Sequence, residues 1–102
     1  MDLEFALPRT EPDLAARIRL RHLRCFVVVA REQHVGRAAD LLHLSQPAVT
    51  KTLNELETLA GVKLLDRGRH GAHLTAAGQR FLRHAREVTA SLDAVAAALA
   101  GV

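Results

Sequence analysis

The 102-residue chain contains no tryptophan, no tyrosine and only three phenylalanines. A core without aromatic bulk has to be filled by Ala, Leu and Val, which suits packed helices better than a β-sandwich. A single cysteine, Cys25, excludes an intrachain disulfide and fits a reducing compartment. No apolar run approaches the roughly 20 residues needed to cross a bilayer. The start, Met1-Asp2-Leu3-Glu4-Phe5, lacks the basic region and apolar core of a secretion signal. A cytoplasmic protein of one domain, with room for an appended helix, is the expectation.

What the chain does have is basic charge, unevenly placed. The net charge of +3 is the balance of a body, residues 17–86, at +8 and two acidic ends, residues 1–16 at −3 and 87–102 at −2. A basic body is the electrostatic footprint of a nucleic-acid binder, although a solvated basic surface has the same composition.

Residues 1–17 hold Pro8, Pro12 and no sustained period, and read as a mobile N-terminal extension with a short helix possible from Asp13. From Ile18 a helical face appears in Leu20, Leu23, Phe26, Val27 and Ala30. Cys25 beside Phe26 reads as a small, partly buried hydrophobe rather than a reactive thiol. After Gln33-His34, a helix of about two turns carries Val35, Ala38, Ala39 and Leu42 on one face, with Gly36 as a possible start. Its two alanines allow close approach of another helix, and Arg37 lies near its N-terminal end, by itself a solvated surface residue but placed to meet a phosphate if DNA runs past it. Leu44, in the connection Leu42-His43-Leu44-Ser45, is expected to fill the angle before the next helix.

That next helix, residues 45–60, is the most informative stretch. Ser45 can cap its first amides, Pro47 is tolerated in a first turn, and Gly61 stops it. Val49, Leu53, Leu56 and Ala60 form an apolar seam, while Gln46, Thr50, Lys51 and Asn54 point elsewhere around its N-terminal half. Those side chains are of the kinds that can donate to and accept from base edges and phosphates. A short helix, a tight turn and a longer helix with a polar N-terminal face form a helix-turn-helix pattern. Val62-Lys63-Leu64-Leu65-Asp66 and Ala72-His73-Leu74 then read as two short strands around a turn, residues 67–71, containing Arg67 and Arg69, a wing suited to backbone or minor-groove contact. Thr75 caps a long final helix. On it Phe81, Ala85, Val88, Leu92, Val95 and Leu99 are spaced as a heptad seam, which reads as a dimerisation face, although packing back across the domain is open to Phe81 and Leu82 and not to Leu92 through Leu99.

From about Leu20 to Ala100 the chain resembles the N-terminal region of LysR-type bacterial transcription regulators. The resemblance is carried by Leu20-Arg21-His22-Leu23-Arg24-Cys25-Phe26, Arg37-Ala38-Ala39, Leu42 through Thr50, Leu56-Glu57, Gly61 through Arg67, and Leu74-Thr75-Ala76-Ala77-Gly78. The wording Ala48-Val49-Thr50-Lys51-Thr52 is similar to the branch regulating protocatechuate and sugar-uptake operons. The resemblance implies a mainly α fold: a winged helix-turn-helix over residues 18–74, then a linker helix over 75–102 that dimerises in antiparallel fashion. It further implies that Gln46, Pro47, Thr50 and Lys51 face the major groove and that Arg67 reaches DNA from the wing. Departures exist. Thr50 and Lys51 stand where Ser and Arg are common, Leu65 replaces a frequent Phe, the second wing Arg falls on His70, and the second helix has a weaker cap at Val35-Gly36.

The expected partner is therefore a dyad-symmetric duplex DNA site, bound by a homodimer, with a tetramer open to a longer parent protein and a nucleoid location. No cofactor, metal, membrane or small-molecule effector is expected, because the family's C-terminal effector-binding domain is not represented and the chain reads as a DNA-binding fragment. A pure dimerisation module is the competing reading, supported by the heptad and opposed by Gln46 to Asn54. Catalysis is the remote one: His70-x-x-His73 lacks a third ligand at a plausible spacing, and Cys25 has no base near it in sequence.

Overall fold

The computed structural model describes residues 12–101; the extension expected over residues 1–17 therefore lies largely outside the described residues. Helix α1 (Pro12–Arg17) is followed by α2 (Leu20–Glu32), α3 (Val35–Leu42), α4 (Gln46–Ala60), strands β1 (Leu65–Gly68) and β2 (Gly71–Leu74), and α5 (Ala76–Ala100).

Each helix boundary has a local cause. At the start of α2 the His22 ring reaches back, its Nδ1 accepting from the Arg19 amide at 2.9 Å. The start of α3 is capped not at Gly36 but at His34, whose Nδ1 accepts from the Arg37 amide at 2.9 Å. An imidazole thus supplies the acceptor that a Ser or Thr would give, correcting the weak cap expected there. Ser45 Oγ accepts from Ala48 N at 3.2 Å, Pro47 lies in the first turn of α4, and Gly61 ends it in the left-handed region at φ 72°. Thr75 caps α5 through Gly78 N at 3.0 Å and donates its own hydroxyl to the Lys63 carbonyl at 2.7 Å.

The core lies where α2 crosses α3, α4 and the first half of α5. Phe26, Val29, Ala38, Val49, Leu53, Leu56 and Leu65 are sealed from solvent, and Phe26 meets Phe81 edge to face with centroids 5.1 Å apart. Several sequence expectations shift by a residue or two. The buried face of α2 runs through His22, Leu23, Cys25, Phe26, Val28 and Val29, whereas Leu20 is exposed. Cys25 is fully rather than partly buried. On α4 Thr52 joins the seam and Ala60, the last residue of the helix, is exposed. Leu44 does not fill the helix angle; it is 44% exposed, and Leu42 packs on the core instead. The left-handed residue His43, φ 58°, turns the chain outward before Leu44 is reached.

The wing is tighter than its sequence suggests. Leu65 pairs with Leu74, Asp66 with His73, Arg67 with Ala72 and Gly68 with Gly71, so only Arg69 and His70 form the tip. Arg67 belongs to a strand, and Val62 to Leu64 are a connection rather than a strand. The wing is fixed at its base, where Ala72 N donates to the Gln33 carbonyl at 3.1 Å and Thr75 N to the Leu64 carbonyl at 3.1 Å.

The heptad seam of α5 divides in two. Phe81 and Ala85 pack inward, Ala85 within the core and Phe81 against it, because this half of the helix lies along α2. Thr89 is buried below them, and Arg24 closes the contact by donating to Asp93 at 3.0 Å. Val88, Val95 and Leu99 are exposed, and Leu92 is half-buried. Among the described residues no helix is long and apolar enough to cross a membrane.

Candidate nucleic-acid interface

Helix geometry sorts α4 into two faces. At 100° per residue, Val49, Thr52, Leu53 and Leu56 fall within an arc of about 100°, and all four are buried. Gln46, Pro47, Thr50, Lys51 and Asn54 occupy a separate arc of about 140° on the other side, and all five are exposed. Burial of the first set fixes the helix rotation, so the second set faces outward as a group. Gln46 and Asn54 carry both donors and acceptors, Thr50 a hydroxyl, and Lys51 a point charge. Among the described residues no carboxylate lies within 4 Å of Lys51.

Two carboxylates, both on α4, border this outward face. On the wing side stands Glu57. Its Oε2 accepts from the amides of Leu64 at 2.7 Å and Leu65 at 3.1 Å. Its Oε1 accepts from Arg67 at 2.6 Å. The same guanidinium donates to Asn54 Oδ1 at 2.8 Å. On the opposite side stands Glu55, 3.3 Å from His22 Nε2 and 3.7 Å from Arg21. Since His22 Nδ1 accepts a backbone proton, its Nε2 is the nitrogen that donates to Glu55. The wing and the N-terminus of α2 are thus each fastened to one edge of the same helix.

The remaining sequence candidates are placed as follows. Arg67 is only 17% exposed at its side chain and turns toward α4, while Arg69 sits at the open tip. A cleft of about 210 Å³, lined by Gly36, Gln46, Arg67 and Arg69 among others, separates the wing from the helix pair. Arg37 is exposed and donates to the Glu32 carbonyl at 3.2 Å. Ser45 is occupied with its capping bond. Sequence reading passed over Glu55, Glu57 and His22 as site-forming residues. Their partners lie on other elements; the resemblance includes His22 and Glu57 among its matching residues but assigns them no role, and Glu55 lies outside it.

Neither catalytic candidate gains support from the geometry. His73 donates from Nε2 to the His70 carbonyl at 3.0 Å, and among the described residues no group of three His, Cys, Asp or Glu side chains could hold a metal. Burial pushes the Cys25 thiol pKa up, with a hydrogen bond to Thr52 and the charge of Arg21 acting the other way. A thiol held protonated is a poor nucleophile.

Comparison with known proteins bears on this arrangement. Residues 20–79 match the model of the bacterial regulatory helix-turn-helix proteins of the lysR family. The chain is 60% identical over 79 residues to the uncharacterized HTH-type transcriptional regulator YdcI of Escherichia coli (strain K12), covering 78% of this chain and 25% of that protein. It is 56% identical over 69 residues to the HTH-type transcriptional regulator PcaQ of Agrobacterium fabrum (strain C58 / ATCC 33970), covering 68% and 22%. The chain thus spans about a quarter of the length of these curated relatives. Among solved structures, the BenM DNA-binding domain in complex with catB site 1 DNA superposes with a TM-score of 0.74 at 34% identity, covering 80% of this chain and 92% of that one. The CbnR DNA-binding domain in complex with DNA superposes with a TM-score of 0.71 at 37% identity, covering 83% and 100%.

Proposed function

The chain belongs to the LysR family, its residues 20–79 being the DNA-binding domain of a transcription regulator rather than an enzyme, and from that premise we propose that it binds duplex DNA sequence-specifically as a dimer. The observation that carries the proposal is the outward face of α4: five polar or small side chains at its N-terminal half, held in rotation by a buried seam on the other side. The first two turns of α4 enter a major groove. Gln46 reads a base edge there, Thr50 and Asn54 contribute further polar contacts, and Pro47 supplies apolar surface. Lys51 and Arg69 meet phosphates, as does Arg37 at the start of α3.

The dimer forms through the outer half of α5. Val88, Leu92, Val95 and Leu99 continue the heptad beyond the point where the chain's own core ends, so a second copy is the economical cover for them. Two copies place two α4 helices on one side of a dyad-symmetric site, with half-sites about one helical turn or a multiple apart. The nucleoid of a bacterial cytoplasm is where such a complex acts. Selection of bound duplexes from a random pool tests the reading. The expected product is a dyad-symmetric consensus whose binding weakens with salt. Recovery of no consensus, with binding indifferent to salt, would leave only a dimerisation module.

A further inference from the structure

Beside the helix-turn-helix surface runs a second, wider feature. An open groove of about 1360 Å³ separates the outward face of α4 from the chain that leads out of α1 into α2. One wall carries Gln46, Thr50 and Lys51; the other carries Arg17, Arg19 and Arg21. The three arginines are not equivalent. Arg21 is 3.7 Å from Glu55, whose carboxylate offsets its charge. Among the described residues no carboxylate lies within 4 Å of Arg17 or Arg19, and both are exposed.

We infer that Arg17 and Arg19 form an additional phosphate-binding edge, gripping the DNA strand that flanks the major groove entered by α4. The inference rests on the DNA-binding reading above and extends it to a segment outside the family match, which begins at residue 20. Three observations support it. First, the segment is built into the domain: Ile18 packs on the core between the two arginines, and the Arg19 amide is bonded to His22. The two guanidiniums are therefore anchored at their base on either side of a fixed point. Second, His22 ties this segment to α4 through Glu55, so the arginines keep their distance from the reading face. Third, the far wall of the groove bears the base-reading candidates and Lys51. A duplex seated on α4 must then place a sugar-phosphate strand along the groove. Paired charges on its two walls, Arg17 and Arg19 opposite Lys51, suit the two sides of one polyanionic strand. Arginine forks also bind phosphate oxygens in bidentate fashion.

The test compares the unsubstituted chain with Arg17→Ala/Arg19→Ala and Arg17→Lys/Arg19→Lys proteins. Each is titrated over a salt series with a duplex recovered from a random pool and with a scrambled duplex of the same length. Both positions are exposed, so the melting temperature should hold in all three. The alanine protein should bind both duplexes more weakly, by similar factors, and the slope of log K against log salt should fall by about 2, close to one per lost phosphate contact. The lysine protein should keep most of the slope. An unchanged slope in the alanine protein would overturn the inference while leaving the function intact. A changed preference between the two duplexes would overturn the phosphate assignment in favour of base contact. Absence of salt-dependent binding by the unsubstituted chain would instead sink the parent reading, and this one with it.

Discussion

Arg67 and Glu57 join the wing to the helix it flanks. Their side chains meet at 2.6 Å, ten residues apart in sequence and facing each other across the α4–β1 connection. The pair does three things at once. It neutralises a carboxylate only 10% exposed, it leaves the other carboxylate oxygen to hold the Leu64 and Leu65 amides, and it fixes Asn54 by its carbonyl oxygen. With Oδ1 occupied, the Asn54 amide nitrogen is left as the group available outward. Arg67 is thus a positioning residue for the outward face of α4.

Replacing Glu57 by Ala removes the acceptor of two buried amides and leaves Arg67 without its charge partner. The expected loss of stability is about 3 kcal/mol, the scale for orphaning buried donors and breaking a shielded pair. Glu55→Ala is the control. That carboxylate is 38% exposed, but it accepts from His22, whose side chain is 4% exposed, so its removal should cost about 1–2 kcal/mol, less than that of Glu57. Urea midpoints of the two variants distinguish them; equal losses would mean that the Glu57 network is not what holds the wing.

Gln46→Ala and Lys51→Ala should separate specificity from affinity. Both side chains are exposed, so neither substitution should alter stability by more than about 0.5 kcal/mol. Gln46→Ala should lose about 1–3 kcal/mol at one base position and relax preference there. Lys51→Ala should weaken all duplexes alike and reduce the salt slope by about 1. Titration of single-base variants of a selected duplex reads both effects. A uniform loss for Gln46→Ala would place that residue on the backbone instead.

Two glycines invite contrasting substitutions. A Cβ at Gly78 would run into the Leu64 carbonyl oxygen, and the obstacle is backbone. Gly78→Ala should force α5 away from the β1 connection and cost about 1–3 kcal/mol, at the upper end of that range. At Gly61 a Cβ meets nothing within 4 Å, but φ is +72°, so Gly61→Ala pays only the left-handed backbone penalty of about 1 kcal/mol. Thermal melts of the pair should rank Gly78→Ala as the more damaging; the reverse order would mean that α5 shifts freely on the wing.

Much of this was legible in the sequence, and the limits are physical. Caps at Ser45 and Thr75 and the stop at Gly61 follow from side-chain chemistry within three residues, so the ends of α4 and the start of α5 could be placed. The outward set Gln46 to Asn54 followed from the apolar seam opposite. The wing register did not, because four-residue strands give too few alternations to fix a period, and Val62 and Leu64 mimic the start of a strand. His34 as a cap was hidden, since imidazole is not a usual capping group. The Glu57–Arg67 and His22–Glu55 ties were invisible because each depends on which faces of separate elements meet. Most instructive is α5, where one unbroken heptad is covered by the chain's own core at Phe81 and Ala85 and left exposed at Val95 and Leu99. Spacing alone cannot mark the changeover, which is set by how far α2 extends beside α5.

Cys25 offers a probe of the buried junction between α2 and α4. Its thiol pKa is raised mainly by burial, so folding favours the protonated form. The sign follows: the unfolded thiol ionises at a lower pH than the folded one, and stability should fall as pH climbs through the window above the ordinary thiol value. At neutral pH a thiol reagent should label Cys25 only as fast as the domain opens. Labelling rates compared with and without denaturant test this; rapid modification of the folded protein would contradict the burial.

The changeover on α5 gives the final prediction, in which two substitutions on one seam should do opposite things. Phe81 packs edge to face on Phe26, so Phe81→Ala removes core contact from each copy. It should cost about 3 kcal/mol, near the low end for buried Phe because the ring is only partly enclosed. Val95 and Leu99 are 55% and 71% exposed, and Val95→Glu/Leu99→Glu leaves the copy's own core untouched. Unfolding of this double variant at low concentration should match the unsubstituted chain, while sedimentation equilibrium should show a monomer for the variant and a dimer for the unsubstituted chain. Because two reading helices bound together gain from effective concentration, the same variant should lose affinity for a dyad-symmetric duplex far more than for an isolated half-site. If the double variant still sedimented as a dimer, the exposed seam would not be the interface, and the pairing of two α4 helices on one site would need another surface.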